Sequence, residues 1–149
     1  GLVAMRRLVA IGFLAVCGWW LGLPGAAQAA PGQVQNGDYT IHYNALRGDA
    51  LPLVSTRAHG LRHTADQGLV IITVNTGGAN VPFDIDGHAT TLLGKPVPLR
   101  FRHVDDKHGN HSVLATFTVS GGETVRFDLD VTPRGAGTTH LRFIHSYQP

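Results

Sequence analysis

The chain has 149 residues, with 12 Lys and Arg against 10 Asp and Glu, one cysteine and two tryptophans. Arg6 and Arg7 carry the whole positive excess, because everything after them is formally neutral. Net charge therefore gives no reason to expect a nucleic-acid or anionic-membrane protein.

The beginning reads as a secretory signal. Arg6 and Arg7 precede an apolar run from Leu8 to Leu23, and Pro24-Gly25 and the small-residue triplet Ala27-Gln28-Ala29 follow. That order of charge, apolar middle and A-x-A site is what signal peptidase reads. Cleavage is expected after Ala29, which removes residues 1–29 and places the protein in the periplasm. The run is short for a membrane span of about 20 residues, so no stable membrane insertion is expected after cleavage. Met5 reads as the initiator, and residues 1–4 have no assigned role. Cys17, after Leu14-Ala15-Val16, is similar to a lipoprotein box. The bulky Val16 and the continuing Trp19-Trp20-Leu21 run argue against acylation. Without Cys17 the remainder has no disulfide and no thiolate ligand.

About 120 residues remain, a length that suits one domain with a workable core. Residues 30–36 read as a flexible lead and 37–149 as the domain. Tyr39, Ile41 and Tyr43 alternate with Thr40, His42 and Asn44, the period of a half-buried strand. "LVSTRAHGLRH" at 53–63 breaks the alternation; Ser55 is expected to cap a short helical segment near 55–60, ending at Gly60. Leu69 to Val74 is continuously apolar, as in a central strand covered on both faces. Alternation resumes at Val81, Phe83 and Ile85, at Val97, Leu99 and Phe101, and at Val113, Ala115, Phe117 and Val119. It returns at Val125, Phe127, Leu129 and Val131, and finally at Leu141 and Phe143, with His145 and Tyr147 as an extension. "NTGGAN", "DG", "LGKP", "SGGE" and "TPRGAG" mark turns between these runs. About seven one-faced strands of this kind describe an all-β, two-sheet antiparallel sandwich of immunoglobulin-like size. A closed barrel is the alternative.

"NGDYTIHYNAL" (36–46), "RAHGLRHTADQGLVIITV" (57–74) and "FTVSGGETVRFDLDVTP" (117–133) resemble a bacterial family of exported proteins known as domain of unknown function 4426. The resemblance covers nearly all of the chain after the signal. It implies an exported β-rich domain and brings no activity or catalytic residues with it. The family pattern leads one to expect a more basic segment where this chain has His63-Thr64-Ala65-Asp66-Gln67, which argues against an anionic ligand there.

Chemistry is sparse. No serine lies in a G-x-S-x-G context, no cysteine remains, and Glu123 is the only glutamate. Asp84/Asp86 and Asp128/Asp130 are spaced to point outward from their strands and read as solvated charges facing Arg100, Arg102 and Arg126. An enzyme is not expected. His42 and Asn44 share the polar face of the first strand and would line a binding groove if that strand were at an edge.

"HVDDKHGNH" at 103–111 is the densest cluster. A two-residue turn at Gly109-Asn110 would set His108 against His111, with Cβ atoms about 5 Å apart, and Asp106 on the same face. A longer loop would instead pair His103 with His111. Either set is chemically suited to Zn or Cu, although hairpin tips are ordinarily polar and a plain turn is expected. The sequence thus supports a non-catalytic periplasmic binding or accessory module without a cofactor, its partner an unidentified protein or small molecule and not a nucleic acid. A Zn- or Cu-binding protein using Asp106, His108, His111 and His103 is the alternative.

Overall fold

The computed structural model describes residues 29–147. The expected signal segment and Cys17 lie outside those residues; of the cleavage site only Ala29 is described, and it opens the first strand.

Among the described residues, ten strands form two antiparallel sheets that face each other. The larger contains β1 (Ala29–Asn36), β2 (Tyr39–Arg47), β3 (Gln67–Thr76), β8 (His111–Thr118) and β7 (Arg100–Asp105) in that spatial order, with β4 (Ala79–Asn80) on the end of β3. The smaller runs β10 (Thr139–Ser146), β9 (Thr124–Pro133), β5 (Phe83–Thr91) and β6 (Pro96–Val97). This is a β-sandwich, not a closed barrel.

The alternating residues of both sheets meet in one core. Ile41, Val70, Ile72 and Val113 of the larger sheet pack against Val125, Phe127, Leu129 and Leu141 of the smaller. An aromatic chain threads through it. Tyr43 stacks on Phe143 at 4.3 Å, Phe143 on Phe127 at 4.7 Å, and Phe127 tilts against Phe117 at 5.4 Å. Phe117 then meets the edge of Tyr147, which meets His145. Phe101, Phe117, Phe127 and Phe143 all join this core, as alternation indicates.

β3 is apolar on both faces because the segment after β2 folds over the outside of the larger sheet. A 3-10 turn at Gly48–Ala50 and a six-residue helix, α1 (Leu53–Ala58), bring Leu51 and Leu61 onto Leu46, Leu69 and Leu114. Pro52, not Ser55, stands at the helix N-cap, and no side chain caps it. The buried Thr56 instead donates its hydroxyl to the Leu53 carbonyl at 2.8 Å.

Besides the Ser55 cap, two sequence expectations are overturned here. Residues 30–36 are not a flexible lead but most of β1, paired along its length with β2. Pro31, Gly32 and three polar side chains hide the strand from propensity. An edge strand, however, has a free side that tolerates proline. Gly32 lies against the Tyr43 ring, where a Cβ would fall 2.3 Å from it. "DG" at 86–87 is not a turn either, since β5 runs through it. Gly87 has φ +145°, and a Cβ there would meet the Asp128 carbonyl at 2.4 Å, so the glycine serves close approach of β5 to β9.

Candidate functional site

At one end of the sandwich, β2 and β8 finish, β3 and β7 begin, and the chain crosses between sheets at Pro98-Leu99. A cleft of about 760 Å³ opens there, walled by Leu61, Pro98, Phe101 and Phe117 and by the polar side chains of Gln67, Thr116 and Thr118. Three arginines line it: Arg62 from the strap after α1, and Arg100 and Arg102 from β7.

Strand geometry explains the convergence. Arg100 and Arg102 are two residues apart on β7, so both project from the outer face of the larger sheet, opposite Thr116 and Leu114 respectively. The strap carries Arg62 over the same face. Its guanidinium pairs with Asp66 at 3.2 Å, donates to the Thr118 hydroxyl at 3.2 Å, and donates through Nε to Gln67 at 3.4 Å. Gln67 is buried and in turn donates to the Phe117 carbonyl at 3.1 Å. Arg102 donates to the His59 carbonyl and ties the strap to the sheet. Arg100 is exposed and makes no ion pair among the described residues. Among the described residues, Asp66 is the one carboxylate paired with these arginines, through Arg62. A hydrogen bond from Thr64, with Arg62 beside it, holds its carboxyl below the usual carboxylate range.

The positive charge of the cleft does not come from His63–Gln67. The positive charge comes from β7, about 40 residues further along a chain whose strands turn back on themselves every 10 residues or so. Sequence reading placed Arg100 and Arg102 correctly on an outer face but matched them to the wrong partners. Asp84, Asp86, Asp128 and Asp130 lie on the other sheet, where Asp128 pairs with Arg142 at 3.6 Å and Asp130 with His140. Arg126 stands opposite Thr90 and Ile144.

His42 and Asn44 do not line an edge groove. β2 lies between β1 and β3, so His42 faces Gln33 and Thr73, and Asn44 faces Pro31 and Ile71. The Asn44 side-chain oxygen is buried without a hydrogen-bond partner.

The 103–111 segment takes neither anticipated register. β7 and β8 pair Asp105 with His111 and His103 with Val113, leaving 106–110 as the loop. His108 is therefore a loop residue and does not face His111. Asp106 organises the loop instead, accepting from the backbone N–H of His108 at 2.7 Å and of Asn110 at 3.0 Å and from the Asn110 side chain at 3.0 Å. Those bonds, the Asn110 backbone first, hold the Asp106 carboxyl below its ordinary pKa. His111 Nδ1 meets Asp105 at 2.7 Å, and its backbone exchanges hydrogen bonds with the Asn80 side chain. Among the described residues no three His, Cys, Asp or Glu side chains are gathered so as to hold a metal ion.

Fold and site together define an all-β sandwich with a cationic cleft at one end. The chain belongs to the family described as Domain of unknown function (DUF4426), whose model matches residues 33–147. It is similar to the crystal structure of a DUF4426 family protein from Pseudomonas aeruginosa PAO1, at a TM-score of 0.69 and 29% identity. That match covers 80% of this chain and 95% of the other. No curated protein matches the chain.

Proposed function

We propose that this protein is an exported, periplasmic binding module without catalytic activity, and that the arginine-lined cleft is its recognition surface for an anionic ligand. One observation carries the reading: Arg62, Arg100 and Arg102 line one cleft that has no carboxylate in its wall, and of the three only Arg62 is ion-paired among the described residues, with Asp66. Arginine presents a planar fork of donors matched to carboxylate and phosphate groups. Arg62 and Arg102 are already engaged in shaping the walls, which leaves Arg100 to meet the ligand. Thr116 and Thr118 add hydroxyls, and Phe101 and Leu61 an apolar wall, in the mixture usual for small-ligand sites. Export is supported by the charge, apolar run and A-x-A order of the first 29 residues.

The test is a thermal-shift and calorimetric series with inorganic phosphate, glycerol phosphate and dicarboxylates. A phosphate or carboxylate probe should stabilise the wild type, and Arg100→Gln should weaken that response at least tenfold with the fold intact. A response untouched by Arg100→Gln, or no response to any of these anions, overturns the reading.

A further inference from the structure

The same end of the sandwich carries its most exposed leucines. The turn between β5 and β6 is Thr91-Leu92-Leu93-Gly94-Lys95, and in it Leu92 is 54% and Leu93 98% exposed. The turn is held firmly. Thr91 N–H donates to the Lys95 carbonyl at 2.8 Å, Gly94 N–H to the Thr91 carbonyl at 2.9 Å, and Lys95 N–H to the Thr91 hydroxyl at 3.1 Å. Thr91 itself is buried. Two adjacent leucines are thus presented outward on a closed loop, where an interior position would be their ordinary place. Single exposed apolar residues are unremarkable, but a fixed apolar tip beside a charged cleft marks an interaction surface.

The tip and the cleft are neighbours. Pro98, a cleft residue, is five residues from Leu93, a span of no more than about 18 Å even when fully extended. Lys95 lies between them. Two carboxylates at this end are paired with arginines, Asp66 with Arg62 and Asp49 with Arg47 at 2.9 Å, while Glu123 accepts from the Ser120 N–H at 2.6 Å and keeps its charge. The four aspartates of the smaller sheet, Asp84, Asp86, Asp128 and Asp130, lie on that sheet's outer face. The chain beyond Arg7 is formally neutral, yet at this end Lys95, Arg100 and Arg102 make no ion pair among the described residues, against the single unpaired carboxylate of Glu123. An apolar tip with a lysine in its turn and an unpaired arginine in the neighbouring cleft is a combination suited to anionic lipid surfaces, where acyl-chain contact and phosphate attraction add.

We infer that this end of the sandwich docks on an anionic phospholipid surface. Leu92 and Leu93 enter the headgroup layer while Lys95 and Arg100 take lipid phosphates. The inference rests on the reading of the cleft as an anion site and assigns the source of the anion to a membrane. No membrane-crossing segment is involved, and no described helix is long and apolar enough to be one.

The experiment is vesicle flotation of the protein as its own cells process it. Phosphatidylcholine vesicles are compared with phosphatidylcholine mixed with phosphatidylglycerol, alongside calorimetry with glycerol phosphate. Binding should require phosphatidylglycerol and weaken with salt. The double variant Leu92→Ser, Leu93→Ser should lose at least tenfold in vesicle affinity, as expected for two leucines returned to water. It should still bind glycerol phosphate like the wild type, because neither leucine lines the cleft. Equal vesicle binding by wild type and double variant overturns the inference. So does glycerol phosphate binding, or capture of an acidic peptide, without vesicle binding; the cleft reading then stands and the membrane source falls. Loss of both vesicle and glycerol phosphate binding in the wild type overturns the two together.

Discussion

The two ends of this sandwich handle polar groups in opposite ways. At the hairpin end, Asp106 accepts three hydrogen bonds from its own loop, His111 pairs with Asp105, and Asn80 takes up the His111 backbone. The side chains of Asp105, Asp106 and His111 are used in holding the turn, while those of His103, Lys107 and His108 are exposed to solvent. At the cleft end, Arg100 has no ion pair among the described residues and two leucines face solvent. A self-satisfied cluster has little left to offer a ligand, whereas partnerless charge and exposed apolar surface retain free energy that binding can release. Density of functional residue types along the chain is therefore a poorer guide than what each side chain already touches.

The largest effect expected from one substitution falls at the cleft floor. Phe117 is buried, meets Phe127 and Tyr147, and also lines the cleft. Gly68 closes over it so tightly that a Cβ there would sit 2.2 Å from the ring. Phe117→Ala should cost about 3–5 kcal/mol in urea unfolding, a large part of the roughly 5–15 kcal/mol typical of a domain. In native-state amide exchange the loss should show most at β3 and β8 beside the cleft and least at residues 106–110. Equal loss of protection at both ends would mean that the ends are not separable.

The comparison also explains what the sequence could reveal. Strands β2, β8, β9 and β10 were legible because each keeps period two beside a buried face, β9 over ten residues, and β3 because its apolar run is unbroken. β1 was not, since an edge strand needs only Val34 and a glycine turned inward. The cleft was legible only in fragments. Arg100 and Arg102 could be assigned to one face by spacing, but bringing Arg62 to them requires knowing that the strap folds over β8 and β7. That contact depends on Leu51 and Leu61 covering Leu46, Leu69 and Leu114, and no local pattern encodes it. The apolar doublet Leu92-Leu93 beside a glycine was the one available signal for the tip.

Acid should act on the cleft end in two windows and on the hairpin end in only the lower one. Burial holds His145, near the cleft end, below its ordinary pKa of 6.5. The unfolded chain therefore takes up a proton near that pH while the folded chain does not. Stability is unaffected well above pH 6.5, falls as pH drops through it, and levels off below the folded value. Asp106 is shifted down from 3.8, so its contribution is fully present above that pH and is lost only as pH falls through the lower folded value. Asp66 shares that second window. Melting temperature against pH should show an upper step that His145→Gln removes and a lower one that Asp106→Asn reduces. An upper step that survives His145→Gln would remove His145 as its source.

The smallest effect belongs to the most conspicuous residue. His111 pairs with Asp105 at 2.7 Å, but Asp105 is largely exposed and His111 partly so. An exposed pair of that kind is worth about 0–1 kcal/mol. The stronger tether at this position is the Asn80 side chain, which bonds the backbone of residue 111 and is indifferent to what side chain stands there. His111→Ala should therefore change stability by no more than about 0.5 kcal/mol, whereas Asn80→Ala, which severs the bridge from β4 to β8, should cost more. The same His111→Ala protein should show the wild-type response to glycerol phosphate, since the cleft lies at the far end of β8. In calorimetry with Zn²⁺ the two should be alike, with weak uptake at several equivalents, because His103 and His108 are not brought to His111. Tight one-equivalent Zn²⁺ binding that disappears with His111→Ala would restore the hairpin as a metal site and invert the contrast between the ends.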